Sequence, residues 1–171
     1  MKRVVRSASK TLSGLISSVA LMLTSACGAT NIDAASIDAR APAHIGSPTT
    51  CEGLAVQVLG SGGPRSFGGR ASSGYLVWRE GEARFLVDAG PGVTHRFSTS
   101  GARFADLEAM FISHLHVDHS ADLIALLKMT SFGHRRRPLP LFGPLGSPRF
   151  PAIDDFVAAQ IGPDGAYSYL G

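Results

Sequence analysis

The stretch "HLHVDH", His114–His119, places three of the chain's six histidines and an aspartate within six positions. It follows the apolar run Ala109–Ile112 and precedes a segment in which Leu123, Leu126 and Leu127 recur with helical spacing. This pattern predicts a strand, a tight loop and a helix in succession. Because functional side chains collect at the carboxyl ends of strands in α/β proteins, we expect the cluster to lie at a functional site.

The residue types in the cluster indicate metal chemistry, because neutral imidazole and carboxylate are natural ligands of Zn²⁺. His114 and His116 alternate, so in extended backbone both project to one side and can share a metal. Asp118 and His119 follow where the chain turns into the helix, point elsewhere, and can supply a second metal. Two metals would lower the pKa of a bridging water. The alternatives are a surface histidine patch or a mononuclear structural site.

The first 26 residues have the features of a secretory signal peptide. A basic start precedes the apolar run Leu12–Leu23, which is too short to span a bilayer comfortably. The sequence "LTSAC" resembles a bacterial lipobox, which predicts lipidation of Cys27 and a membrane anchor made of acyl chains. A disulfide between Cys27 and Cys51 is the alternative if Cys27 is not modified. We therefore expect export to the periplasm or cell envelope.

Removing the signal peptide changes the charge of the protein. The chain has 16 Lys and Arg against 13 Asp and Glu, and residues 1–26 hold four of the basic residues and none of the acidic ones. The remainder has 12 basic and 13 acidic residues, a net charge of −1, so bulk charge gives no reason to expect a nucleic-acid partner. Residues 27–51 are small and polar, which predicts a flexible tether, and 52–171 are long enough for one modest core.

The folded part is predicted to open with a strand, Leu54–Leu59, which leads into a glycine-rich segment. A turn at Gly60, Gly62 and Gly63 is favoured over a phosphate-binding loop, because the spacing matches neither the dinucleotide-binding nor the Walker pattern.

A β-hairpin is predicted next, with strands Tyr75–Trp78 and Arg84–Val87 joined by a turn at Glu80–Glu82. Its second strand leads directly to Asp88. An aspartate in this position is either a cap for the turn that follows or a site residue.

The last elements predicted are a strand at Leu139–Phe142 and a helix that starts near Pro151. The apolar stripe of that helix is predicted to be Ala152, Phe156, Val157 and Ile161.

The remaining histidines have no motif of their own. His44 is interpreted as a solvated tether residue and His95 as a surface or packed residue, while nothing in the spacing of His134 requires it at a site. Arg135–Arg137 are interpreted as a solvated loop, with binding of a substrate anion as the alternative.

The stretch "SHLHVDH" resembles the H-x-H-x-D-H signature of the metallo-β-lactamase superfamily. The segments "VLGSGGP", "SSGYLVWREGEARFLVDAGPG" and "PLPLFGP" stand around it in an order similar to the ribonuclease Z and arylsulfatase-like branch. The resemblance covers residues 54–145. It implies an α/β (α+β) fold in which this chain is the N-terminal half of an αββα metallo-β-lactamase-fold sandwich, with the metals at one edge of the sheets.

The resemblance also assigns roles. It implies that His114 and His116 bind the first metal and that Asp118 and His119 bind the second. Asp118 would in addition orient the nucleophilic water, and Asp88 would support the metal loop from beside it. The implied metal is zinc, two per complete site, with iron or manganese as alternatives.

Members of the superfamily take further ligands from their second half, whereas no histidine follows His134 in this chain. We therefore expect an N-terminal fragment that carries half of the site. Two functions follow. The first is an exported metal-dependent hydrolase of a small-molecule ester, such as a phosphodiester or sulfate ester, for which transfer-RNA processing is disfavoured by export. The second is an inactive truncated lipoprotein that binds a metal or a partner.

Overall fold

The computed structural model describes residues 52–65, 68–129, 132 and 135–171. The signal peptide, the tether, both cysteines and His134 lie outside these ranges, so the predictions made for them stay predictions. Within the described ranges, no helix has the length and apolar character needed to cross a membrane.

Five strands form one mixed sheet, which confirms the predicted α/β class. In the order in which they lie across the sheet, they are β1 (Leu54–Gly60), β2 (Gly74–Arg79), β3 (Glu82–Val87), β4 (Ala109–Phe111) and β5 (Leu141–Phe142). Strands β1, β2 and β3 pair antiparallel, whereas β4 pairs parallel with both β3 and β5. Since the parallel strands point the same way, the chain leaves β3 and β4 at the same edge of the sheet.

In the described ranges, four α-helices connect or follow the strands. They are α1 (Val93–Thr99), α2 (Val117–Ser120), α3 (Leu123–Met129) and α4 (Ile153–Ile161), and short 3-10 helices occupy Phe104–Asp106 and Ser168–Leu170. The predicted apolar face of α3 is confirmed, because its three leucines are buried in a core that also contains Val93, Phe97, Val157 and Ile161.

The hairpin turn is shorter than predicted. It consists of Glu80 and Gly81, with φ of +51° and +72°, while Glu82 pairs with Arg79 as the first residue of β3. Positive φ at both central residues matches the right-handed twist of the flanking strands, which is why a two-residue turn suffices.

Two other predicted boundaries also differ. Strand β5 begins at Leu141 rather than Leu139, since Pro138 and Pro140 lack the N–H group that a strand ladder uses. In α4, Ala152 is the N-cap and does not belong to the apolar stripe. Ile153 is buried in its place.

The inner face of the sheet packs on the helices. One row of residues, aligned by the strand register, crosses all five strands and is buried throughout: Gln57, Leu76, Leu86, Met110 and Leu141. The polar member is satisfied, because the Trp78 indole N–H donates to Gln57 Oε1 at 3.1 Å.

The outer face of the sheet is also apolar but is not fully buried. We use this name for two rows aligned by the same register: Val58, Tyr75, Val87, Phe111 and Phe142, and Val56, Val77 and Phe85. Val56 and Val58 are 43% and 51% exposed. A sheet face meant for solvent normally carries alternating polar residues, whereas strands that are apolar on both faces are typical of sheets covered on both sides.

We predict that the outer face drives self-association of the isolated chain. Replacing Val58 with Glu places a charge on this face in the edge strand β1. We expect less binding of a hydrophobic dye and slower aggregation on warming, measured by light scattering. The unfolding free energy should change by about 0.5 kcal/mol or less, because Val58 lies half-exposed at the sheet edge.

The matched control is Leu145→Glu, which adds the same charge to a side chain that is 76% exposed but lies in the loop after β5 and in neither row of the outer face. Equal effects of the two substitutions on dye binding and aggregation would show that general surface charge, rather than the outer face, is responsible.

Candidate metal centre

The histidine cluster lies where the sequence pattern places it, in the loop between β4 and α2. The Ile112 N–H donates to the Phe142 carbonyl at 2.8 Å, which ties the start of the loop to β5. His116 is the N-cap of α2, in extended conformation, and its carbonyl accepts a hydrogen bond from Ser120 Oγ at 3.0 Å. The predicted succession of strand, loop and helix is therefore confirmed.

Asp88 joins this loop to the end of β3. Its Oδ1 accepts hydrogen bonds from the Ser113 backbone N–H at 2.8 Å and from Ser113 Oγ at 2.9 Å. Its Oδ2 accepts from Ser73 Oγ at 3.1 Å and lies 2.7 Å from His119 Nδ1. The carboxyl is buried and the residue has φ of +61°. Asp88 thus lies beside the histidine loop, and its support of metal ligands stays a prediction.

The backbone following Asp88 also packs directly against α2. The Ala89 N–H donates to the His119 carbonyl at 2.8 Å, and the Ser73 N–H donates to the Asp118 carbonyl at 3.1 Å. A Cβ atom on Gly90 would lie 2.0 Å from the Asp118 oxygen. Glycine is therefore required at position 90 for the two loops to approach this closely.

The four predicted ligand residues form one cluster. The ring centroid of His114 lies 4.7 Å from that of His116 and 3.9 Å from that of His119. Asp118 Oδ2 lies 3.6 Å from His119 Nε2. The sequence pattern predicted that His119 points away from His114. In the structure its side chain instead lies against that of His114.

Three imidazoles and a carboxylate have the right donor chemistry for zinc, iron or manganese. In the arrangement present, His114 Nε2 lies 3.1 Å from His116 Nδ1, so two donor nitrogens face each other. Within the described part of the chain, no three His, Cys, Asp or Glu side chains are placed so that they could hold an ion. The donor set fits a metal, and its binding requires the His114 ring to turn so that these two nitrogens separate.

The surroundings of His114 favour its neutral form. Burial lowers the pKa of this imidazole from its ordinary value of 6.5, and the nearby His119 and His116 lower it further, against the opposing charges of Asp88 and Asp118. Neutral imidazole is the form that binds metals, so protons compete less strongly for His114 near neutral pH.

His95 and Arg135 were both predicted to lie at the surface, and they differ in their actual exposure. His95 is exposed on α1, as a surface residue. Arg135, in contrast, is half-buried, and its guanidinium donates to the carbonyls of Phe104, Ala105, Leu107 and Pro138. The interpretation of Arg135 as solvated was therefore wrong, and its hydrogen bonds to carbonyls leave it a structural role rather than anion binding.

Three residues of the site were not found from the sequence. Ser73 and Gly90 stand in the segments "SSGY" and "DAGPG", where a serine and a glycine next to strand ends were the available signal. Phe150 had none, because it comes from the loop after β5, yet its ring centroid lies 5.2 Å from that of His116.

We predict that Asp88→Ala lowers the unfolding free energy by about 2–4 kcal/mol in a urea titration. The substitution leaves the buried Ser73 hydroxyl and the partly buried Ser113 N–H without this acceptor, and it puts alanine at positive φ. Asp88→Asn should cost clearly less, because asparagine tolerates this backbone conformation and retains an acceptor oxygen. Equal losses for the two variants would contradict the role of these hydrogen bonds.

We also predict that the chain loses stability as the pH falls below about 7. As the pH falls, the unfolded chain binds the His114 proton first, because the folded-state pKa is lowered. The unfolding free energy should decrease as the pH drops below about 6.5. It should level off once the pH is below the pKa that His114 has in the folded state. His114→Gln should reduce the slope, and the exposed control His95→Gln should leave it unchanged.

Comparisons with known proteins agree with this fold. The family model described as "Anti-Pycsar protein Apyc1" matches residues 54–144. The ribonuclease Z of Mycobacterium bovis is 40% identical over 97 residues, which are 55% of this chain and 34% of the relative. The ribonuclease Z of Methanosarcina acetivorans is 33% identical over 97 residues, which are 57% of this chain and 32% of the relative. The chain thus spans about a third of the length of these curated relatives.

Two solved structures resemble the sheet and its helices. The short form of human tRNase Z has a TM-score of 0.53 and is 29% identical in sequence. The match covers 62% of this chain and 39% of the tRNase Z chain. The metallo-β-lactamase fold protein YhfI of Bacillus subtilis has a TM-score of 0.52 and is 27% identical. That match covers 64% of this chain and 42% of the YhfI chain. These likenesses confirm the predicted superfamily, its ribonuclease Z-like branch and the partial metallo-β-lactamase fold. Since the family model also matches more than half of its residues, this chain belongs to the anti-Pycsar protein Apyc1 family, within the metallo-β-lactamase superfamily.

Proposed function

We propose that this chain carries the metal-binding loop of an exported, metal-dependent hydrolase that cleaves ester bonds. The observation that carries the proposal is the convergence of three imidazoles and the Asp118 carboxylate at the carboxyl end of β4, next to the buried carboxylate of Asp88. The similarity to proteins named ribonuclease Z supports hydrolysis as the reaction type and favours a phosphodiester among the candidate esters.

Each residue would have a defined part in this chemistry. His114 and His116 would hold one zinc ion, and Asp118 and His119 a second. Asp88 would accept a hydrogen bond from His119 Nδ1, which leaves Nε2 of that ring free to bind metal. Zinc, when bound, would lower the pKa of a water molecule bound to it and would polarise the ester group that the water attacks. Asp118 would orient that water toward the substrate.

Export and anchoring belong to the proposal as well. The signal peptide and the lipidation of Cys27 would place the enzyme at the cell envelope, where a small-molecule ester is a more accessible substrate than a nucleic acid.

A second candidate is an inactive fragment that binds a metal or a partner protein. It is favoured by one observation, namely that no three potential ligands in the described ranges are already placed to hold an ion. In this case the histidine loop would bind metal weakly, and the outer face would dominate the behaviour of the chain.

Zinc binding and hydrolysis, measured on the purified chain, separate the two candidates. We expect calorimetry to show one or two zinc ions per chain, and bis(p-nitrophenyl) phosphate to be hydrolysed in a manner that a chelator abolishes. His116→Ala removes one ligand and should weaken zinc binding by about tenfold or more and abolish the hydrolysis. The control His95→Ala, on the exposed face of α1, should change neither quantity.

Zinc binding without hydrolysis would favour the inactive metal-binding fragment. Hydrolysis that survives both the chelator and His116→Ala would contradict a metal-dependent reaction in this loop. Absence of zinc binding and of hydrolysis would contradict the enzyme proposal for this chain.

A further inference from the structure

We propose that Phe150 is a positioning residue, which holds the His116 imidazole in the orientation needed to bind metal. The inference rests on the proposed function, because it concerns one of the ligands of that site. It starts from the contact between the two rings, whose centroids lie 5.2 Å apart at an interplanar angle of 68°.

The three histidines of the cluster differ in what orients them. His119 contacts the Asp88 carboxylate through Nδ1 at 2.7 Å, and His114 contacts Ser113 Oγ through Nδ1 at 3.0 Å. Both partners are attached to the sheet through the network around Asp88. A metal-binding histidine normally has such a partner on its second nitrogen.

His116 lacks an equivalent polar partner among the described residues. Its ring is exposed, and its Nδ1 contact, at 3.1 Å, is with His114 Nε2. Under the proposed function that nitrogen would bind the metal, and binding a metal through it would break the contact. The edge-to-face contact with Phe150 is then what remains to orient the His116 ring.

Phe150 can perform this role because its own loop is fixed. The Ser147 N–H donates to the Phe150 carbonyl at 2.8 Å, and the Phe150 N–H donates to Ser147 Oγ at 3.2 Å. Gly146 has φ of +94°, which lets the chain turn back sharply. The Ile153 N–H donates to the Pro144 carbonyl at 2.9 Å and connects the loop to the start of α4.

Phe150 lies at the surface beside the loop, where it is 40% exposed. An edge-to-face pair of rings prefers one mutual orientation, and a ring held in its bound orientation loses less entropy when it binds. The expected contribution to metal affinity is about 2- to 10-fold.

The test uses the full chain and cobalt(II), whose visible absorption reports the geometry of its ligands. We expect Phe150→Ala to weaken cobalt binding about 2- to 10-fold and to change the absorption spectrum, and Phe150→Tyr to restore both. In the metal-free chain, Phe150→Ala should also shift the NMR signals of the His116 ring protons, assigned through His116→Gln, because the ring current of Phe150 is lost. The matched control is Leu145→Ala, in the same loop, which should leave all three quantities unchanged.

Unchanged cobalt affinity, spectrum and His116 signals in Phe150→Ala would overturn the inference. If the wild-type chain binds no cobalt at all, the proposed function itself fails. This outcome is distinct from equal cobalt binding by the wild-type chain and Phe150→Ala, which overturns only the inference about Phe150. Should Phe150→Ala unfold, Phe150→Leu keeps the apolar volume without the aromatic ring. Wild-type affinity and His116 signals in that variant would likewise overturn the inference.

Discussion

The carboxylate of Asp88 is the interaction on which the geometry of the histidine loop depends. It accepts hydrogen bonds from Ser73 before β2 and from Ser113 after β4, and it contacts His119 in α2. One buried group thus connects three segments that are distant in sequence. Because it accepts from the buried Ser73 hydroxyl and from the Ser113 backbone N–H, its loss would weaken the attachment of the loop to the sheet and not simply delete a charge.

The parallel pairing of β3 and β4 brings Asp88 and the loop together. Val87 pairs with Phe111 at the end of both strands, so the residues that follow leave the sheet side by side. Gly90 then allows the backbone after β3 to lie against Asp118 without a steric clash. The site is therefore a product of strand direction and one close backbone approach, and the side chains that bind or react are placed by that framework.

The histidine cluster, its loop and its helix were predictable because their signals are local: an apolar run, alternating ligands and a leucine stripe lie within 21 residues, from Ala109 to Met129. Partners that are brought together by the fold were not. Arg135 has the sequence signals of a solvated loop residue, yet its guanidinium donates to five backbone carbonyls. Phe150 lies more than 30 residues from His116 in sequence. Chain-distant contacts depend on tertiary packing, which the periodicity of one segment does not encode.

The division of the sheet into an antiparallel and a parallel half has a consequence for the order in which the molecule assembles and opens. Strands β2 and β3 are joined by two residues, whereas β4 and β5 must close longer loops and contribute only three and two paired residues. The hairpin can therefore form early, and the edge that carries the histidine loop forms late, after loop closure. Amide hydrogens in β4 and β5 would therefore exchange through smaller and more frequent openings than those in β2. A ligand bound to the histidine loop would slow hydrogen exchange most strongly in β4 and β5, because this half of the sheet is the least stable when no ligand is bound.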